Sequence, residues 1–180
     1  MSLKTWEIDT TDSSLSFSVS HMLVSRIHGE FRAWSGEIHF DENAPALSAV
    51  EVTIDAASID TRDPQRDGYL RSSEFFDVER HPSISFRSRT VKRIDARRFQ
   101  MLGALTIHGV TRDVFLNVEY GGRMRDSGGV EHIGIAARGS FDRKAFGLTQ
   151  SLDGGGLIVG DRVELALEIA AADRRARQAA

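Results

Sequence analysis

The sequence predicts an all-β protein, and within that class a closed antiparallel barrel of about eight strands with one short helical insertion near residues 63–77. Three observations lead there. Apolar residues fall at every second position in segments spread over the whole chain, which is the period of a strand with one buried face. The positions between them are polar, so each strand has a wet face and must bury the other in a sandwich or a barrel. Only one stretch departs from this pattern, and single-faced alternation along nearly every strand favours the barrel.

In chain order, Trp6-Glu7-Ile8 opens the set. Residues 14–21 carry the clearest signal, with Leu15, Phe17 and Val19 separated by serines; a helix would scatter these three around its circumference. Ile38 and Phe40 share one side of residues 36–40, and Val50, Val52 and Ile54 repeat the period with β-branched residues. Asp63 then caps a helix start with Pro64 at the first helical position. Ser72-Ser73-Glu74-Phe75-Phe76-Asp77 reads as a second helical turn, stopped before Pro82. Leaving Phe75 and Phe76 wet would cost about 1.5–3 kcal/mol each, so they are expected against the sheet or over its open end. Ile84-Ser85-Phe86 and residues 99–107, 114–118, 133–141 and 163–169 supply the later strands, with residues 108–112 as a turn-like connection. Gly154-Gly155-Gly156 reads as a flexible link into the last strand, because no P-loop lysine and no helix follow it. One domain is expected over residues 1–172, with a charged, frayed tail at 173–180.

Composition removes several function classes. The 180 residues carry 23 basic and 26 acidic side chains, for a net charge of −3, and no basic patch interleaved with aromatics occurs, so nucleic acid is not an expected partner. The absence of cysteine excludes disulfides, zinc–thiolate sites and thiol nucleophiles. No run approaches the roughly 18 apolar residues of a spanning helix, and the polar, alternating start does not resemble a secretory signal. The expected location is the cytoplasm as the chain is written, or the periplasm if Met1-Ser2-Leu3 replaces a removed leader.

Catalytic signals are sparse. The six histidines show no metal-ligand spacing, no HExxH and no HxH, so no metal site is expected. No GxSxG elbow accompanies the serines. Asp60, Asp63 and Asp67 lack the spacing of a calcium loop and read as solvated carboxylates. His21 continues the parity of Leu15, Phe17 and Val19, which makes it either a polar handle in a cavity or a satisfied core histidine. Periodicity leaves open whether the barrel is filled or hollow.

The segment 15–31, from Leu15-Ser16-Phe17 through His21-Met22-Leu23-Val24 to His28-Gly29-Glu30-Phe31, resembles the opening signature of the YceI-like family of polyisoprenoid-binding proteins. Further blocks follow in order: Ser58-Ile59-Asp60-Thr61 leading to residues 66–78, His81-Pro82-Ser83-Ile84-Ser85-Phe86, and residues 102–112. A weaker match covers residues 141–148 and Val159-Gly160-Asp161. Gly68 departs from the pattern, standing where a better helix former is expected.

The resemblance implies an extended, lipocalin-like barrel that holds a long isoprenoid, an isoprenoid quinone or another amphiphilic lipid in an apolar channel. It also implies a non-catalytic homodimer that stores or transports this lipid without a cofactor. On that reading Phe17, Val19, Phe31, Phe40, Val52, Ile54, Phe86 and Leu105 form the wall, joined by Leu70, Phe141 and Phe146. Phe75 and Phe76 close an end, where His21, Arg26, Asp60 and Arg66 meet a polar head group. The competing readings are a stress-related or structural interaction module with a filled barrel, and a small-molecule enzyme that would need a convergent acid–base pair.

Overall fold

The alternation in the sequence is laid out as eleven strands and two short helices in the computed structural model, which describes residues 3–22, 24–150 and 159–179. The strands are β1 (Lys4–Ile8), β2 (Ser14–His21), β3 (Ser25–Phe31), β4 (Trp34–Phe40), β5 (Ala49–Asp55) and β6 (Ile59–Asp60), followed by β7 (Ser83–Arg93), β8 (Arg98–Ile107), β9 (Val110–Arg125), β10 (Glu131–Asp142) and β11 (Val159–Asp173). Helix α1 (Pro64–Arg71) follows β6, and α2 (Arg174–Ala179) follows β11.

The eleven strands make eight staves, because β1 runs on as β2, β3 as β4, and β5 as β6. Each stave pairs antiparallel with the next, and β11 closes the ring by pairing with β2 through Val163–Glu168 and with β1 through Ala171–Asp173. This is a closed, eight-stranded antiparallel barrel; the alternation predicts the barrel, and its nine segments reduce to eight staves because β1 and β2 share one. The breaks are stitched by side chains. Where β1 gives way to β2, the Ser13 hydroxyl accepts from the Ala170 N–H at 2.9 Å and donates to its carbonyl at 3.2 Å, replacing a missing backbone partner. Where β5 gives way to β6, Asp55 caps a 3₁₀ turn by accepting from the Ala57 N–H at 3.0 Å.

Several elements differ from the sequence reading. Strand β3 has no counterpart there, because Gly29 occupies an inward position between Ile27 and Phe31 and thins the apolar pattern. The connection expected over residues 108–112 shrinks to His108-Gly109, both at positive φ (52° and 73°), as a two-residue hairpin turn requires; Val110 already begins β9. The helical insertion is confined to α1, capped by Asp63, which accepts from the Gln65 and Arg66 N–H groups at 3.1 Å. Residues 72–77 form turns and no second helix, because the chain doubles back and the Phe76 and Val78 N–H groups take the Leu70 and Arg71 carbonyls. The stretch expected as a charged tail begins with the last residue of β11 and continues as α2. Asp173 ends β11 on Trp6, and α2 lays Arg174 against Glu37 at 2.7 Å. The glycine link at 154–156 lies outside the described residues.

Candidate functional site

Inward residues alternate along the staves, as Met101, Gly103, Leu105 and Ile107 do along β8, but they do not fill the barrel. They enclose a lumen of about 170 Å³ in which a water-sized sphere can move. Phe17, Phe86, Phe141, Leu165 and Leu167 line it and are only half-buried, so their remaining surface faces the lumen. Six residues separate Met101 near the floor from Ile107 near the lid. At ~3.4 Å per residue and a ~40° tilt, that is about 16 Å of height. Spread over this height, the volume describes a tube of about 3 Å radius once the ~1.4 Å water radius is added. Such a tube is one hydrocarbon chain wide.

Two glycines keep it open. Phe17 pairs with Gly29 across β2 and β3, and its ring lies where a Cβ on Gly29 would stand, with Cε1 and Cε2 at 2.8 and 3.0 Å and Cζ closer still. Phe86 lies likewise over Gly103. Each ring rests flat on the wall and leaves the axis free, the arrangement in which an aromatic side chain shields a strand glycine.

The two ends differ. At the floor, Phe40 meets Phe99 edge-on at 6.0 Å and Tyr120 at 5.2 Å. The Tyr120 hydroxyl donates to Glu42 at 2.6 Å. Burial, reinforced by that carboxylate, pushes the phenol up to about 12, so it stays a neutral donor. At the other end the segment 62–82 forms a lid, with Leu70, Phe75 and Phe76 turned into the lumen and the Phe75 and Phe76 rings edge-on at 4.9 Å.

The polar groups in the lining are few and gather at the lid: Thr61, Arg66 and Arg143. Arg66 Nε donates to Thr61 Oγ1 at 2.8 Å, and its Nη2 to the Thr61 carbonyl at 2.9 Å. Thr61 in turn donates to Asp67 Oδ1 from Oγ1 at 2.5 Å and from its backbone N–H at 2.9 Å. Asp67 is therefore not the solvated carboxylate expected from the sequence: it is buried, because the helix turns it under the chain to satisfy Thr61. Arg143 is also buried. Its Nη1 donates to the Leu148 and Gln150 carbonyls at 2.6 Å each, and its Nε to the Gly160 carbonyl at 3.1 Å, with Asp161 at 3.5 Å.

Of the residues singled out in the sequence, Phe17, Val19, Phe31, Val52 and Ile54 line the lumen, with Phe86, Leu105 and Phe141 further round the wall. Arg66, Leu70, Phe75 and Phe76 line it from the lid. Five others do not line it. Phe40 has the right parity but belongs to the floor stack. Phe146 packs behind Phe141, edge-on at 5.2 Å. Arg26 and Asp60 have outward parity, since Ile27 and Ile59 are the buried neighbours; Arg26 meets Glu164 at 2.9 Å and Asp60 meets Arg32 at 2.5 Å. The Arg62 N–H foremost, with Arg32 beside it, holds the Asp60 carboxyl below its ordinary range. His21 lies opposite the register shift between Val159 and Val163, where alternation ends, and its Nδ1 is 3.2 Å from Ser25 Oγ. Arg143 was not foreseen; the sign of it in the sequence is Asp142, which caps the turn through the Lys144 N–H at 2.9 Å and so directs the next side chain inward. Asp77 and His81, four residues apart, are also brought together with the distant His108, outside the lumen.

Comparison with known proteins places this geometry. The YceI-like domain family matches residues 6–171. A UPF0312 protein of Photorhabdus laumondii is 36% identical over 138 residues, 77% of this chain and 71% of that protein. The crystal structure of the Campylobacter jejuni YCEI protein is 30% identical and superposes with a TM-score of 0.75 over 86% of this chain and 90% of that one. A polyisoprenoid binding domain from Saccharophagus degradans, 18% identical, shares the fold with a TM-score of 0.69 over 95% of this chain and 99% of that one.

Proposed function

The chain belongs to the YceI-like family, and on that premise we propose that it binds a long-chain isoprenoid or similar amphiphilic lipid inside the barrel, storing or transporting it with no bond made or broken. The observation that carries this reading is the lumen itself: an apolar tube one chain wide, floored by aromatics, with its polar lining confined to the lid. A flexible hydrocarbon gains about 25 cal/mol for each Å² of apolar surface it removes from water, before ordering costs. Nothing in the wall competes for that surface, and a side-chain-filled barrel would not leave it. Arg66 stands at the lid end, where the polar end of such a molecule would emerge, which suits a quinone carbonyl, a hydroxyl or a phosphate, whereas Arg143 is committed to backbone carbonyls. The polyisoprenoid-binding domain of the same fold supports the choice of ligand class.

Native mass spectrometry on gently purified protein, followed by solvent extraction, tests the proposal. The expected result is a stoichiometric adduct that releases a polyprenyl lipid and identifies its head group. A clean apo mass, unchanged after incubation with polyprenyl quinones and phosphates, would overturn it.

A further inference from the structure

Asp77, His81 and His108 converge on the outer shoulder of the lid, each half-buried, with one ligand atom from each within 4.8 Å of the others. Asp77 and His81 bracket the last turn of the lid, where the Arg80 and His81 N–H groups donate to the Asp77 carbonyl at 3.0 and 2.8 Å. His108 comes from the β8–β9 turn, twenty-seven residues on. Its ring meets His81 edge to face, with centroids 4.8 Å apart. Gly109 makes room for that meeting: a Cβ there would stand 3.0 Å from His81 Cε1. Asp77 and His108 both hold left-handed backbone, φ 49° and 52°. Among the described residues, no hydrogen bond engages the three side chains, and the cation nearest Asp77 is the exposed Arg80 at 3.8 Å.

We propose that these three side chains form a binding site for a divalent transition-metal ion of the zinc type. Two imidazoles and one carboxylate suit zinc, nickel or cobalt, whereas magnesium and calcium take oxygen ligands. Zinc bonds of ~2.0–2.2 Å set ligand atoms about 3.4 Å apart, so rotations that move each side chain by about an ångström close the site. Three protein ligands leave a position for water. The ion would fasten the foot of the lid to the β8–β9 turn, joining two elements that are otherwise in contact through ring packing at this point.

The test uses the full chain, stripped with a chelator and titrated with zinc chloride by calorimetry and native mass spectrometry. One zinc per chain is expected, with affinity weakened at least about tenfold by His81→Gln and by His108→Gln, and unchanged by His28→Gln on the outside of β3. Hydrogen exchange in the parent should slow over residues 72–82 when zinc is added. Thermal melting confirms that each variant is folded. The site is refuted if the folded parent takes up no zinc, or if uptake persists undiminished in the folded His81→Gln/His108→Gln double variant.

Discussion

Replacing Gly29 with alanine adds one methyl group, and the structure specifies what it meets. The three nearest atoms all belong to the Phe17 ring, with Cε1 and Cε2 at 2.8 and 3.0 Å, and none is backbone. Ordinary carbon–carbon contact needs 3.5–4.0 Å, so the ring must retreat by about 1 Å. Phe31 flanks it at 5.7 Å, which leaves the lumen as the open direction. A tube of about 3 Å radius then narrows to about 2 Å at that level, the half-width of an unbranched chain with no room for methyl branches. Excluding one five-carbon unit at ~0.8 kcal/mol per carbon costs about 4 kcal/mol, close to a thousandfold in Kd. The fold should tolerate the change, since overpacking costs ~1–3 kcal/mol and the lost glycine freedom returns ~0.4–1 kcal/mol. Polyprenyl occupancy by native mass spectrometry, with melting as the check on folding, is the assay; adding Phe17→Leu to Gly29→Ala should restore binding. A folded Gly29→Ala protein with the parent's affinity would show that the guest does not pass Phe17, and the reasoning about the lumen would fail.

Two further outcomes are expected. Asp67→Ala removes the acceptor of both Thr61 donors and strands a buried N–H; it should cost about 2–3 kcal/mol, read as a lower urea midpoint at unchanged slope, with Asp67→Asn recovering part of the loss. At the floor end, hydrogen bonding to Glu131 foremost holds the Lys4 ammonium above its ordinary pKa of 10.5, and Lys4 in turn holds the Glu131 carboxyl below its ordinary 4.5. The lowered carboxylate contributes fully above 4.5 and is lost as pH falls through its folded value; the raised ammonium contributes fully below 10.5 and is lost as pH rises through its own. Lys4 is 42% exposed, so Lys4→Met should cost less than about 1 kcal/mol at pH 7. Calorimetric melting should show that difference shrinking as pH falls below 4.5 and through the folded value of Glu131; a deficit that keeps its pH 7 size would mean that the loss comes from the contact of Lys4 with Trp6 rather than from the pair with Glu131.

The barrel was legible wherever apolar and polar residues alternate without interruption. Ser14 to Val19 shows this best, because serine spacers leave no helical alternative, and its inward residues Leu15, Phe17 and Val19 all line the lumen. Strand β3 was illegible for the same reason that the lumen exists: Gly29 removes a side chain from the pattern so that Phe17 can lie flat. Parity also carries no information about height along the axis, which is why Phe40 was grouped with the wall although it closes the floor. Charged residues were misjudged where tertiary contacts decide. Asp67 looks solvated until Thr61, six residues away, turns two donors toward it. Arg143 drew no reading from the sequence, and only the fold shows the chain wrapping its carbonyls around the guanidinium. The meeting of His81 with His108 depends on the β8–β9 turn and leaves no spacing signature.

Closure of the ring has a kinetic meaning. Because β11 pairs with both β1 and β2, the wall has no seam, and no stave separates from its neighbour without breaking a ladder of backbone hydrogen bonds. On the proposed function, a guest in the lumen would depart lengthwise, after an excursion of the segment that covers the open end. On that same reading, handover to an acceptor would be first order in loaded protein and would saturate as acceptor is added, with a ceiling set by how often that segment lifts. The same closure pairs most strand edges, and among the described residues the edges left open are short overhangs, residues 89–93 of β7 beyond β5, 121–125 of β9 beyond β8 and 25–29 of β3 beyond β6.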